Sequence, residues 1–367
     1  MTKATPSSSL AAVFRGPGNP LELGSFPLPD LRAGEVLVAI DCCTICGSDL
    51  HTIRGDRPVA GPMVLGHEMS GRVVELSSAG PPPADVVGDE IELGDRITWS
   101  VAAACGQCFF CSKGLPQKCE QLFKYGHETL DRSELSGGLA EYCRVVAGSA
   151  MVKLPPSLPD FIACPANCAT ATVAAAMRVS GECAGNCVII HGGGMLGLTA
   201  AAMTRSQGAA AVIVTDIAEP RLARAEGFGA TNAISVAEGT EHLNDVIDQL
   251  TNKRGADLVF EMSGSTTAIE ESVGQLRIGG RLVLVGSVFP SRAVRLAPEQ
   301  LVRKMLRIDG VHNYTPADLS TAVEFLNEMA EKFPFESLVD AYFSLQDVNA
   351  AIESASDSNV IRVAVHP

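Results

Sequence analysis

The rhythm of apolar and polar positions changes once along this chain. Up to about Pro159 the apolar runs are short. Val36–Ile40 and Arg72–Leu76 are examples, each closed by a turn signal, as expected of strands. Ala79–Ala84 carries Pro81, Pro82 and Pro83 and reads as a surface loop, because it cannot continue a strand. This Gly- and Pro-rich texture predicts a mostly β first domain. From Ala169 onward there is an Ala-rich helical stretch, then the apolar run Val188–Ile190, three glycines and a second Ala-rich helix. Next come Ala211–Thr215, a helix to Gly229, Leu258–Phe260 and Arg281–Val285. Apolar runs alternating with helix-length segments predict βαβ units around a buried parallel sheet. The alternation ends near Gly310, and the tail is expected to rejoin the first domain. The division predicted is 1–168 with 313–367 for the β-rich domain and 169–312 for the α/β domain. No internal repeat is visible.

A chain of 367 residues exceeds the length at which single cores usually split, which agrees with two domains. Hydrophobic residues make up 46%, enough for a large core and against disorder. With 28 Lys+Arg against 42 Asp+Glu, the net charge of −14 argues against a nucleic-acid or membrane-surface partner. The longest uncharged stretch, Cys183–Thr204, holds Asn186, His191 and five glycines, unlike a lipid-facing helix. Met1–Arg15 is Ser-rich and lacks a sustained apolar stretch, so no secretory signal is read. A cytoplasmic chain is expected, with its twelve cysteines reduced. The question becomes which of them bind metal.

Cys105, Cys108, Cys111 and Cys119 form C-x2-C-x2-C-x7-C, with Gly106 in the first gap. Thiolates two residues apart converge across a tight turn, and four of them make a closed tetrahedral zinc site. No position is left for a substrate, so this zinc is structural. An iron–sulfur cluster and a set of unrelated cysteines are the alternatives. A nucleic-acid-binding ribbon is disfavoured, since only Lys113 and Lys118 lie within the cluster.

The run Val188–His191 leads into Gly192-Gly193-Gly194-Met195-Leu196-Gly197 and an Ala-rich helix. G-x-G-x-x-G after a strand and before a helix is a dinucleotide fingerprint. Gly192 makes the turn, Gly194 admits the diphosphate and Gly197 lets helix and strand pack. The helix N-terminus supplies N–H donors for an anion despite the overall charge. The next strand, Val212–Thr215, ends at Asp216, 22 residues beyond Gly194. Its carboxylate suits the ribose hydroxyls and repels a 2′-phosphate, which predicts NAD rather than NADP. A plain Gly-rich turn and a solvated acid are the bland alternatives.

Upstream stand Cys46-Gly47-Ser48-Asp49-Leu50-His51 and Gly66-His67-Glu68, and further on Asn167-Cys168. Taken with the four-cysteine cluster, Gly137-Gly138-x-Ala140-Glu141-Tyr142 and the fingerprint, they resemble the zinc-dependent medium-chain alcohol dehydrogenase family over nearly the whole chain. The resemblance implies a GroES-like β domain carrying two Zn2+ per chain, a Rossmann domain carrying NAD, and hydride transfer in a cleft between them. The catalytic ligands would be Cys46, His67 and Cys168. This Cys₂His set is known of alcohol dehydrogenase and comes with the resemblance, not from spacing. The open fourth position would polarise an alcohol or carbonyl oxygen. Ser48 resembles the hydroxyl that takes the alcohol proton, and His51 the group passing it to solvent. Asp49 and Glu68 resemble supporting carboxylates, Asp49 orienting His67.

The resemblance also places Arg221 beside the adenosine ribose and Arg362 at the diphosphate. Met195, Leu196, Thr172 and Val285 would line the cofactor. Gly47 stands where some relatives carry a basic residue, so that diphosphate contact is missing. Cys168 stands where the polyol branch often carries Glu. The substrate is a small alcohol or carbonyl compound, and the family forms homodimers and homotetramers. Asn167–Arg178 resembles a branch proposed to act on phosphonates, which would need cations near the zinc. Arg54, Arg57, Lys124, Arg178 and His312 are the candidates. A non-catalytic zinc and nucleotide binder is the alternative from another class. Relatives that reduce quinones without zinc lack both metal sets.

Overall fold

In the α/β half, strand-forming runs are apolar throughout because both faces of the sheet are covered by helices. The computed structural model describes residues 6–130 and 135–367. Residues 1–5 of the N-terminal stretch discussed above lie outside them. Two units are present, one comprising Met1–Ala171, Thr315–Ala330 and Phe335–Pro367, the other Thr172–Tyr314 and Glu331–Pro334. Residues Thr315–Ala330 and Phe335–Pro367 thus belong to the first unit. The break, however, falls inside the helix Ala169–Ser180, and 331–334 pack with the second unit.

The second unit holds a six-stranded parallel sheet among the described residues. Its order is Asn232–Ser235, Ala211–Asp216, Cys187–His191, Ala256–Glu261, Leu276–Leu284, Arg307–Gly310. The chain order reverses beside Cys187–His191, the strand that feeds the glycine loop. Ligands of open α/β sheets bind at such a switch point. Ile189, Ile213, Val259 and Leu282 from four adjacent strands build one core layer beneath the helices.

The first unit is built on antiparallel pairing. Val36–Thr44 pairs with Glu68–Leu76 and, through Ala364↔Thr44, with the C-terminal strand Arg362–His366. Glu68–Leu76 in turn pairs with Arg96–Ala103. Phe14, Trp99, Tyr125, Met69 and Val363 are fully buried in its core. Thr44 and Glu68 pair across the first two strands, so both donor motifs leave the same end of one sheet. Among the described residues no helix is long and apolar enough to cross a membrane.

Candidate metal and nucleotide sites

Cys46 lies two residues beyond the strand Val36–Thr44 and caps the helix Gly47–Arg54. Its backbone N–H donates to Asp49 Oδ2 (2.9 Å), which satisfies an otherwise unpaired group at the helix start. The other oxygen, Asp49 Oδ1, faces His67 Nδ1 at 3.2 Å and accepts from Gly66 N–H at 3.4 Å. A carboxylate at Nδ1 fixes the proton there and turns the Nε2 lone pair outward. Ser48 Oγ lies 3.2 Å from that Nε2. Cys168 follows the turn Cys164–Asn167 and opens the helix Ala169–Ser180. The fully buried Asn167 donates from Nδ2 to the Trp99 carbonyl (2.7 Å), pinning this turn to the sheet. That supplies a role for Asn167 which its sequence context does not reveal.

The donor atoms of Cys46, His67, Glu68 and Cys168 all lie within 4.8 Å of one another. Both Glu68 oxygens are taken up by other donors. Oε2 accepts from Thr44 Oγ1 and Arg362 Nε, each at 2.7 Å, and Oε1 from Arg362 Nη2 at 2.8 Å. Arg362 Nη1 donates to the Ile361 carbonyl, and Nη2 lies 3.6 Å from Cys46 Sγ. This corrects the expectation for Arg362. Its three nitrogens are engaged in a buried pair behind Cys46, rather than presented to a diphosphate. The Cys46 thiol is held well below its ordinary range by the Cys168 thiol, then by Arg362 and His67, against the effect of burial. Burial disfavours a charged His67 ring, yet Asp49 and Cys46 raise its pKa to about 10. A centre that draws positive charge to two sulfurs and a ring nitrogen is suited to a divalent cation. His51 sits one turn beyond Ser48 with Nδ1 on Asp56 Oδ2 (2.8 Å), both half exposed.

Beside these ligands lies a residue that sequence reasoning passed over. The His127 ring stacks on His67 with centroids 5.7 Å apart. Arg57 Nη1 donates to its Nε2 at 3.0 Å. His127 belongs to no motif and is 60 positions from His67, so no local spacing pointed to it.

The sulfurs of Cys105, Cys108, Cys111 and Cys119 also lie within 4.8 Å of one another. Backbone N–H groups point at them, from Cys105 (3.2 Å) and Gln121 (3.3 Å) to Cys119 Sγ, and from Glu120 (3.5 Å) to Cys108 Sγ. The Glu120 N–H is the first of several donors that lower Cys108 to about 6. Amides converging on sulfur favour thiolates, the form that binds zinc.

In the second unit Gly192 has φ +109°, a left-handed conformation that favours glycine. Gly194 caps the helix Met195–Ser206. A Cβ on Gly197 would land on the Gly192 carbonyl, 2.8 Å from its carbon. A Cβ on Gly194 would meet nothing nearer than Arg221 Nη1 at 3.9 Å, which leaves room at the helix N-terminus for an anion. Asp216 Oδ2 accepts from Gly193 N–H (2.7 Å) and Oδ1 from Ala218 N–H (2.9 Å). The loop, Asp216 and Arg221 are therefore together. Met195 is buried, so it can offer its backbone but not its side chain, whereas Leu196 is half-buried. Val285 is buried and its N–H donates to the Glu261 carbonyl (2.9 Å). Thr172 lies half-buried at the start of the same unit.

Comparison with known proteins bears on what these sites are for. Residues 32–156 match the alcohol dehydrogenase GroES-like domain and residues 196–328 the zinc-binding dehydrogenase domain. An L-threonine 3-dehydrogenase of Aeromonas salmonicida is 32% identical over 296 residues, 78% of this chain and 79% of that one. A sorbitol dehydrogenase of Halalkalibacterium halodurans is 29% identical over 344 residues, 93% of this chain and 94% of the other. The solved alcohol dehydrogenase of Thermotoga maritima superposes with a TM-score of 0.92 at 29% identity, covering 98% of this chain and 99% of that one. The chain belongs to the zinc-dependent medium-chain alcohol dehydrogenase family, whose work is alcohol and carbonyl oxidoreduction with zinc and a nicotinamide cofactor.

Proposed function

We propose that this protein oxidises an alcohol, or reduces the matching aldehyde or ketone, with NAD as hydride partner and two zinc ions per chain. One would be held by Cys46, His67 and Cys168, and the other by Cys105, Cys108, Cys111 and Cys119. When bound, the first ion supplies Lewis acidity toward the substrate oxygen. The observation that carries the reading is Ser48 Oγ, 3.2 Å from His67 Nε2 on the site side of the ring. A hydroxyl placed there accepts the proton that an alcohol must lose before hydride departs. His51, one helical turn on and oriented by Asp56, passes that proton to solvent. Asp49 keeps the Nδ1 proton on His67, and the Glu68–Arg362 pair holds Cys46 as the thiolate.

Preference for NAD rests on Asp216. Its carboxylate closes the glycine loop where the adenosine ribose would lie, and a 2′-phosphate there would meet like charge. The test is steady-state oxidation of an alcohol panel with NAD and NADP, on zinc-loaded and chelator-treated protein. Zinc-dependent turnover with a kcat/KM higher for NAD supports the proposal. A higher kcat/KM with NADP refutes the cofactor assignment. Undiminished turnover by folded Cys46→Ala protein lacking that zinc refutes the mechanism.

A further inference from the structure

The apolar run Leu258–Phe260 stops one residue short of its strand, which continues to Glu261. That side chain is fully buried, in a place where an acid is rare unless it is paired. Its partners are neutral donors from two turns. Oε1 accepts from the Ser263 N–H (2.8 Å), the Ser263 hydroxyl (2.6 Å) and the Gly264 N–H (2.7 Å), and Ser287 Oγ lies 3.4 Å from Oε2. The Glu261 carbonyl accepts from Val285 and Gly286 N–H, each at 2.9 Å. Met262, the next residue, donates its N–H to the His191 carbonyl (2.8 Å), directly before the glycine loop. Ser263 Oγ also accepts from Ser265 N–H (3.1 Å), and Ser265 caps the helix Thr266–Gln275 by accepting from Ala268 N–H.

Three turns therefore meet around Glu261, those after Cys187–His191, Ala256–Glu261 and Leu276–Leu284. Their backbones are in contact. A Cβ added to Gly286 would lie 2.7 Å from Ser263 N, one on Gly264 3.0 Å from the Gly286 oxygen, and one on Gly192 3.1 Å from Ser263 N. No side chain fits between turns this close, so hydrogen bonds set their spacing, and Glu261 supplies the acceptors. The two strands flanking Cys187–His191 both end in a carboxylate. Asp216, on one side, is half-buried and ties down Gly193. Glu261, on the other, has no surface left with which to touch a ligand. In a sheet of this order a dinucleotide lies across the switch point, with one half over each group of strands. With the adenosine half toward Asp216, the nicotinamide half falls over the turns that Glu261 holds.

We infer that Glu261 is a positioning residue for the dinucleotide, clasping the turns after Ala256–Glu261 and Leu276–Leu284 to the glycine loop so that they form the floor for the nicotinamide half. The inference rests on the proposed function above, which brings NAD to this end of the sheet. The clasp works by reach and acceptor number rather than by charge. Glutamine keeps the accepting oxygen and can turn its amide toward the Ser287 hydroxyl, which accepts as well as donates. Aspartate keeps the charge but is shorter by one C–C bond, about 1.5 Å, and falls short of the Ser263 and Gly264 amides.

The test is calorimetric titration of the full chain with NADH and with ADP-ribose, which lacks the nicotinamide, alongside thermal unfolding without ligand. In Glu261→Ala and Glu261→Asp the affinity for NADH should fall about tenfold or more, as expected when buried amides lose their acceptor, while ADP-ribose binding changes less than about threefold. Glu261→Gln should keep NADH binding within about threefold of wild type. Should Glu261→Ala fail to fold, Ser263→Ala decides, with a loss of about threefold or more confined to NADH expected from the missing hydroxyl donor. Three results overturn the inference while leaving NAD binding intact. The ratio of the two affinities could stay at its wild-type value in the folded variants, both ligands could weaken equally, or Asp could retain NADH binding where Gln loses it, which would make charge the cause. Wild-type protein that binds neither ligand refutes the NAD assignment and the inference together. If it takes the 2′-phosphorylated dinucleotide instead, the NAD assignment alone fails, and the same ratio read with NADPH and 2′-phospho-ADP-ribose decides the role of Glu261.

Discussion

Gly194 and Gly197 occupy one loop, yet the structure assigns them opposite sensitivities. Gly194 has φ −82° and ψ −168°, open to any L-residue, and a methyl there would meet only Arg221 Nη1 at 3.9 Å. Gly194→Ala should therefore fold normally, losing about 0.5–1 kcal/mol because alanine caps a helix less well than glycine. Gly197→Ala drives its methyl into the Gly192 carbonyl and to 3.4 Å from Ile190 Cγ2, both backed by the central strand. Relief requires the helix to move off the sheet. Overpacking of this kind costs about 1–3 kcal/mol, roughly 3–10 °C in the melting of a unit this size. NADH binding should divide the other way. If the diphosphate lies on the helix N-terminus, the Gly194→Ala methyl fills its space, and affinity should fall at least about tenfold, or about 1.4 kcal/mol. Thermal unfolding without cofactor and NADH fluorescence titration read the two effects separately. NADH affinity unchanged in Gly194→Ala would refute the placement of the diphosphate. An unchanged melting temperature in Gly197→Ala would refute the packing argument.

Three further outcomes are expected. Arg362→Met leaves the fully buried Glu68 with Thr44 as its remaining side-chain donor and should cost about 3–5 kcal/mol in urea unfolding, with Glu68→Gln/Arg362→Met recovering part; a single variant as stable as wild type would contradict the pairing. If the proposed four-sulfur zinc is present, Cys111→Ser should release one zinc equivalent by elemental analysis and loosen the lobe so that trypsin cleaves faster at the exposed Lys113 and Lys118, whereas full zinc retention would count against the four-sulfur site. Burial lowers His191 from 6.5 to about 4 in the folded chain, so the unfolded chain takes up the proton first. Stability from this group is complete above about pH 6.5 and falls by about 3 kcal/mol toward pH 4. His191→Phe should flatten that part of the pH–stability curve, and an unaltered slope would show that His191 is not its source.

Which features were legible in the sequence follows from what fixes each of them. Among the four inner strands of the parallel sheet, the covered stretches Val188–Ile190, Ala211–Val214, Leu258–Phe260 and Leu282–Val283 surface as apolar runs. Asn232–Ser235 and Arg307–Gly310 pair on one side only and are half exposed, and both escaped the apolar pattern. The unit boundary escaped for a different reason. The helix Ala169–Ser180 crosses it without any change of composition. At the metal site, the Cys46–Asp49 and Gly66–Glu68 chemistry sits within single turns, where spacing in sequence is spacing in space. Arg362 is 294 positions from Glu68, and nothing local relates them. Strand register does. With Ala364 opposite Thr44 and Val365 opposite Cys43, the antiparallel count continues to set Arg362 opposite Cys46, and the Ile45 N–H bond to the Val363 carbonyl (2.9 Å) extends the pairing to that end. The expectation of a diphosphate contact failed because the arginine's destination is set by this pairing, which a motif cannot encode. Arg57 is the same case. As an isolated cation Arg57 was indistinguishable from Arg54, Arg178 or His312, and only its contact with His127 and the stacking of that ring on His67 bring it near the ligands. Sequence therefore identified the chemistry shared with the family, while the places of Arg362, His127 and Arg57 depend on contacts formed across the fold.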